Sequence, residues 1–157
     1  MAIPARFVHT NLIARDWKRL AAFYESVFGC VRLPPERGLS GDWLDAITGI
    51  PHARIQGIHL RLPGYGGSGP TLEIFQYDRE EARPATAVNR PGFGHIAFAV
   101  KDVAVARKAV LAAGGRAVGD LASTTIPGAG TISVAYVTDP EENVIELQHW
   151  TDGMETT

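Results

Sequence analysis

The chain has a single cysteine, Cys30, in 157 residues, which rules out an intramolecular disulfide and a thiolate metal cluster. A lone thiol with no sequence neighbour to lower its pKa reads as a small buried apolar residue. An excess of one charge sign is also missing. The formal net charge is -2, the pI is near 6.2, and acidic and basic residues are mixed along the chain. The basic field that phosphate-backbone binding requires is therefore lacking, and nucleic acid is not an expected partner. No apolar run approaches the roughly 20 residues that span a bilayer, and residues Met1 to Arg6 hold no apolar signal-peptide core. A membrane partner is accordingly not expected, and a cytoplasmic location is. What is present, 45% apolar content over this length, suffices to bury a core in one compact domain or two small fused modules.

The chain reads as one module written twice. His9 lies in the strand-like run Phe7-Val8-His9-Thr10-Asn11-Leu12, and His95 in Gly94-His95-Ile96-Ala97-Phe98-Ala99-Val100. The offset that carries His9 onto His95 also carries Asp16 onto Asp102 and Gly29 onto Gly115. Asp16 and Asp102 are helix N-caps in type. The helix after Asp16 carries Trp17, Leu20, Ala21, Tyr24, Val27 and Phe28 at helical spacing and is closed by Gly29. The second carries Val103, Ala106, Val110 and Ala113 and meets Gly114-Gly115. Residues 55–62 then alternate as a strand, Thr71 to Tyr77 form another, and 132–138 and 143–149 match them in the second half across the turn Asp139-Pro140-Glu141-Glu142-Asn143.

Each half reads βαβββ, an α+β fold of two tandem modules whose curved mixed sheets form a cleft, with helices on the outer face. The expected layout is a first module over 1–78, a connector over 79–92, a second module over 93–151 and a flexible tail over 152–157, within one structural domain. The longer first half places its extra residues in loops at 34–52 and 63–69.

Side chains alternate across a strand, so His9 shares a face with Asn11, while Val8, Thr10 and Leu12 face the helix. The same alternation puts Glu73 with Phe75 and Tyr77, His95 with Ala97, and Glu146 with Gln148. All four polar groups then leave the sheet on the face without helices, where they are expected to line the cleft. Two imidazoles and two carboxylates suit a borderline or hard divalent ion, and without thiolates the site reads as catalytic rather than structural. Arg61 and His59 share one strand face and are candidate substrate contacts, as are Asn11, Phe75 and Tyr77. Trp43, in the first long loop, reads as a packing anchor.

These residues resemble the vicinal oxygen chelate superfamily, which includes glyoxalase I, methylmalonyl-CoA epimerase, extradiol dioxygenases and the fosfomycin and bleomycin resistance proteins. The resemblance runs from His9 to Trp150. It rests on His9-Thr10-Asn11-Leu12 leading into Phe23-Tyr24-Glu25-Ser26-Val27-Phe28-Gly29, on Leu72-Glu73-Ile74, on Gly94 to Asp102, and on Asp139-Pro140 with Asn143 to Leu147. It implies metal ligands at His9, Glu73, His95 and Glu146, a set similar to that of bacterial glyoxalase I, whereas epimerases usually carry Gln at the position of Glu73. The turn after Asp139-Pro140 departs from the family, with Glu142 where glycine is usual.

The resemblance further implies one divalent ion per site, with nickel, cobalt or zinc favoured and iron or manganese as alternatives. The expected reaction is that of a lyase or isomerase, a proton transfer through a metal-stabilised enediolate on a small 2-oxo, 2-hydroxy or thiohemiacetal substrate. Glu146 and Glu73 are the candidate catalytic bases, Glu146 being preferred by family likeness; a metal-bound hydroxide is the alternative. A homodimer is expected. The competing readings are a non-catalytic binding protein for a small metabolite or antibiotic, and an extradiol-type dioxygenase.

Overall fold

A computed structural model describes residues 3–151, so the tail expected over 152–157 lies outside the described residues. The chain divides into two compact units, Met1–Arg83 and Pro84–Thr157. Among the described residues no helix is long and apolar enough to cross a membrane.

In the first unit, β1 (His9–Ile13) leads into α1 (Trp17–Phe28), β2 (Val31–Ser40), α2 (Asp42–Thr48), β3 (Arg54–Arg61) and β4 (Thr71–Tyr77). The sheet runs β1-β4-β3-β2, with β1 parallel to β4 and the other neighbours antiparallel. The Asp16 carboxylate accepts from the Arg19 backbone N–H at 3.0 Å and caps α1. Gly29 ends the helix with φ 69°, a left-handed conformation that glycine adopts without Cβ strain. α1 packs on β3 and β4. Its Trp17, Leu20, Ala21 and Tyr24 are buried together with Ile58, Leu60, Leu72 and Ile74, the alternate residues of those two strands.

The second unit follows the same plan, with a strand in the place of α2: β5 (Ile96–Ala99), α3 (Val103–Ala112), β6 (Arg116–Ala117), β7 (Ala122–Ile126), β8 (Gly130–Thr138) and β9 (Val144–Thr151). Its sheet runs β5-β9-β8-β6, with β7 also paired to β8. β5 is parallel to β9, as β1 is to β4. Asp102 caps α3 by accepting from the Val105 N–H at 2.9 Å. α3 packs on β8 and β9, where Ala135, Val137, Ile145 and Leu147 are buried.

Three sequence expectations need correction. Residues 34–52 are not a loop: they hold most of β2 and all of α2. β2 is an edge strand, where proline is tolerated because no ladder N–H is required on the open side. Its pairing with β3 shifts register between Leu33 and Arg37, around Pro34-Pro35. Trp43 is not the anchor of this segment. It is half exposed, while Leu44 beside it is buried with Ala53 and Ile55, and Leu39, Phe75 and Tyr77 pack against that cluster. Val8 does not face a helix; it precedes β1 and is exposed.

Candidate functional site

The first unit gathers its polar residues around Glu73, in the middle of β4. β1 supplies Asn11 directly across the parallel ladder from Glu73, and β3 supplies His59 directly across the antiparallel one. Asn11 Nδ2 donates to Glu73 Oε2 at 2.8 Å. His59 Nε2 lies 2.9 Å from Glu73 Oε1, and His9 Nε2 lies 3.6 Å from Glu73 Oε2. Three side chains, two from β1 and one from β3, thus converge on one carboxylate, which retains only 13% of its side-chain exposure.

The His59 ring is fixed on its other side, with Nδ1 3.1 Å from Thr71 Oγ1. Burial lowers its pKa from the usual histidine value, against the pull of the Glu73 charge, and the positive fields of Arg37 and His9 lower it further. The edge of Phe75 meets the His59 ring with centroids 6.2 Å apart. Phe75 reaches that position because its ring lies across Gly57, where an added Cβ would fall 2.5 Å from Phe75 Cδ1. Tyr77, further along the same face, packs toward Leu44 and Ile55. Arg61, two residues beyond His59, lines a surface depression with Gly29, Val31 and the glycine-rich turn at Gly64, Gly66 and Gly67.

The second unit carries the smaller counterpart. His95, just before β5, sets Nε2 3.1 Å from Glu146 Oε2 on β9. Tyr136 on β8 faces Glu146 in the antiparallel register, as His59 faces Glu73. Burial raises the Tyr136 pKa, helped by a hydrogen bond to Glu146 and by the carboxylate charge. The His95 and Tyr136 rings are 5.2 Å apart. Sequence reasoning missed Tyr136, although its signal was present. Counting outward from the turn Asp139 to Asn143 pairs Thr138 with Val144, and hence Tyr136 with Glu146.

Of the predicted ligands, then, His9 meets Glu73 and His95 meets Glu146, each pair within its own unit. In the first unit, one donor atom each from His9, His59 and Glu73 lies within 4.8 Å of the others. The 2.9 Å from His59 Nε2 to Glu73 Oε1 and the 3.6 Å from His9 Nε2 to Glu73 Oε2 lie within the about 4.0–4.4 Å that two donors bound to one ion at about 2.0–2.2 Å can span. The donor set therefore fits a divalent metal, and imidazole with carboxylate is the chemistry of nickel, cobalt, zinc, iron or manganese rather than of a thiolate site.

Two units of this kind, each pairing a histidine at or just before its first strand with a glutamate of its last, define a vicinal oxygen chelate protein. The chain belongs to the Glyoxalase/Bleomycin resistance protein/Dioxygenase superfamily, whose family model matches residues 6–147. It is similar to a Vibrio parahaemolyticus protein named "Probable lactoylglutathione lyase", with 28% identity over 145 residues, covering 90% of this chain and 88% of that one. Among solved structures it shares its fold with a glyoxalase family protein from Bacillus cereus, at TM-score 0.76 and 14% identity over 95% of this chain and 96% of that one. It also shares it with a genomically encoded fosfomycin resistance protein from Listeria monocytogenes, at TM-score 0.56 and 17% identity over 96% and 97% of the two chains.

Proposed function

We propose that the protein is a metal-dependent lyase or isomerase of the glyoxalase I type, moving a proton at a carbon beside a carbonyl in a small 2-oxo, 2-hydroxy or thiohemiacetal substrate. One observation carries this reading: the same His–Glu pairing is built twice, at 3.6 Å between His9 and Glu73 and at 3.1 Å between His95 and Glu146. His9, Glu73, His95 and Glu146 are the proposed ligands of one divalent ion, with nickel, cobalt or zinc preferred over iron or manganese. When bound, the ion supplies Lewis acidity toward two adjacent substrate oxygens.

The two carboxylates differ in how they are held. Glu73 is fixed by Asn11, His59 and His9, whereas Glu146 is held by His95 and Tyr136. The less restrained Glu146 is the proposed base, and Glu73 the carboxylate that stays in place. Asn11, His59, Arg61, Phe75 and Tyr77 are the proposed substrate contacts. A cytoplasmic homodimer, C2 as most closed assemblies are, belongs to the same proposal and is checked by sedimentation.

Because the Vibrio relative is named for lactoylglutathione, the glutathione–methylglyoxal adduct is the first substrate to assay with metal-loaded protein. Turnover is expected, and Glu146→Gln at saturating metal is expected to lower kcat by about 100-fold or more, the usual scale for a lost general base. Metal uptake without turnover of this adduct excludes glyoxalase I and leaves the isomerase class. Iron with oxygen-dependent turnover identifies a dioxygenase instead. Ligand binding that survives both Glu73→Gln and His95→Ala without any metal affinity identifies a sequestering protein and defeats the enzymatic reading.

A further inference from the structure

The geometry points to His59 as a direct third ligand from the first unit, so that this unit alone presents two imidazoles and a carboxylate to a divalent ion. The inference rests on the reading above in taking His9 and Glu73 as ligands, and it adds a residue that the His9, Glu73, His95, Glu146 set does not contain.

Three observations support it. His59 stands opposite Glu73 in the β3–β4 register, and its Nε2 is 2.9 Å from Glu73 Oε1, closer than the 3.6 Å of His9 Nε2 to Glu73 Oε2. A ligand set that includes His9 and Glu73 and omits His59 would leave out the nearer imidazole. The two rings also meet edge to face, with centroids 5.6 Å apart, and one donor atom from each lies within 4.8 Å of the other and of a Glu73 oxygen. Finally, the outer contacts orient the donors. Thr71 Oγ1 engages His59 Nδ1 at 3.1 Å and leaves Nε2 as the forward atom, while Asn11 Nδ2 holds Glu73 Oε2 at 2.8 Å. Such partners set ring direction and tautomer in metal sites.

The second unit sharpens the assignment by contrast. The place that His59 takes opposite Glu73 is taken by Tyr136 opposite Glu146. A phenol, which is neutral and protonated near pH 7, is a far poorer ligand there than a neutral imidazole. The two halves repeat one backbone but not one donor set, and the first half is the stronger metal-holding side.

The test is metal affinity of the full chain, stripped with a chelator and titrated with zinc against a chromophoric competitor, together with the visible spectrum of the cobalt form. His59→Ala is expected to weaken zinc by more than the roughly 10–100-fold that loss of an outer-shell partner costs, and to change the cobalt spectrum because a nitrogen donor leaves. Thr71→Val, which removes only the outer partner of His59, is expected to fall within that roughly 10–100-fold range. His59→Gln, similar in bulk, controls for misfolding, with far-UV circular dichroism on each variant.

Loss in His59→Ala confined to that range, or none, with an unchanged cobalt spectrum, overturns direct ligation. If His9→Ala and Glu73→Gln abolish binding while the loss in His59→Ala stays within that range, this inference alone falls and the proposed function stands. If the unmodified chain takes up neither zinc nor cobalt, both fall.

Discussion

At the level of single residues, strand alternation puts His9 beside Glu73 and His95 beside Glu146, each pair within its own unit. Glu142 was visible only as an oddity, a glutamate where the family places glycine. It holds φ 69°, a left-handed conformation costly for a residue with a Cβ. The turn is kept by Asp139, 1% exposed, whose carboxylate accepts from the N–H groups of Glu141 and Asn143 at 2.9 and 3.0 Å and from Asn143 Nδ2 at 2.8 Å. Glu142→Gly is therefore expected to stabilise the protein by about 1 kcal/mol, less whatever the ion pair of the Glu142 carboxylate with the exposed Arg116 guanidinium contributes. Asp139→Ala, which takes an acceptor away from three donors, is expected to destabilise it by about 2–3 kcal/mol. Urea denaturation of both variants measures the two signs.

Cys30 behaves as its sequence context suggested. It is 4% exposed, and burial, with a smaller contribution from the Glu25 charge, pushes its pKa from 9.0 up to about 11. Below pH 9 both folded and unfolded chains keep the proton; between pH 9 and 11 only the unfolded chain loses it. Stability is thus full below pH 9 and falls as pH rises through that window, by at most about 2.7 kcal/mol. The stability gap between the natural chain and Cys30→Ala is expected to narrow by that amount from pH 9 to 11, and a thiol reagent at pH 8 to label the chain only after unfolding.

Elements were legible in proportion to their local signals. α1 and α3 announce themselves by Asp caps, apolar stripes and terminal glycines, and the structure uses those caps. α2 has seven residues, follows Gly41 and has no side-chain cap, so neither length nor cap marks it. β2 was obscured by Pro34 and Pro35, which read as loop until its edge position is known. The β3–β4 pair carries the first half-site, and its close approach at Gly57 is a demand of packing that no periodicity displays. A Cβ there would lie 2.0 Å from the Ile74 carbonyl oxygen and 2.5 Å from Phe75 Cδ1. Gly57→Ala must displace backbone as well as ring, at a cost of about 1–3 kcal/mol. Because Phe75 abuts His59, it is also expected to weaken metal binding, whereas Gly38→Ala, with nothing within 4 Å of its Cβ, is expected to leave metal binding unchanged. Comparing the two variants by calorimetric titration separates a site effect from a general loss of glycine.

For the whole molecule, the constant offset between His9 and His95 revealed the duplication before any strand was assigned, because a repeated backbone must place its caps and glycines at repeated positions. Matching strand orders, β1-β4-β3-β2 and β5-β9-β8-β6, bear this out. What the offset did not show is that the repeat is chemically uneven, His59 in one half answering to Tyr136 in the other, since those positions fall beyond the extra residues of the first half and align only through strand register. The proposed ligand set makes a prediction at this scale. A metal that binds only the folded state stabilises it by about 2.7 kcal/mol at a free concentration of one hundred times Kd. If ligands come from both units, that energy is shared by the full 157 residues, and the melting temperature is expected to rise by about 5–11 °C as one transition. If the first unit, Met1–Arg83, held the metal alone and melted separately, the same energy would move only its transition, by about 11–22 °C. Scanning calorimetry with and without saturating zinc distinguishes the two. The expected result is a single peak whose calorimetric and van't Hoff enthalpies agree and which moves as a whole, with the shift reduced in His95→Ala. A split endotherm in which one component moves and the other stays would remove His95 and Glu146 from the ligand set while leaving His9, His59 and Glu73 in place.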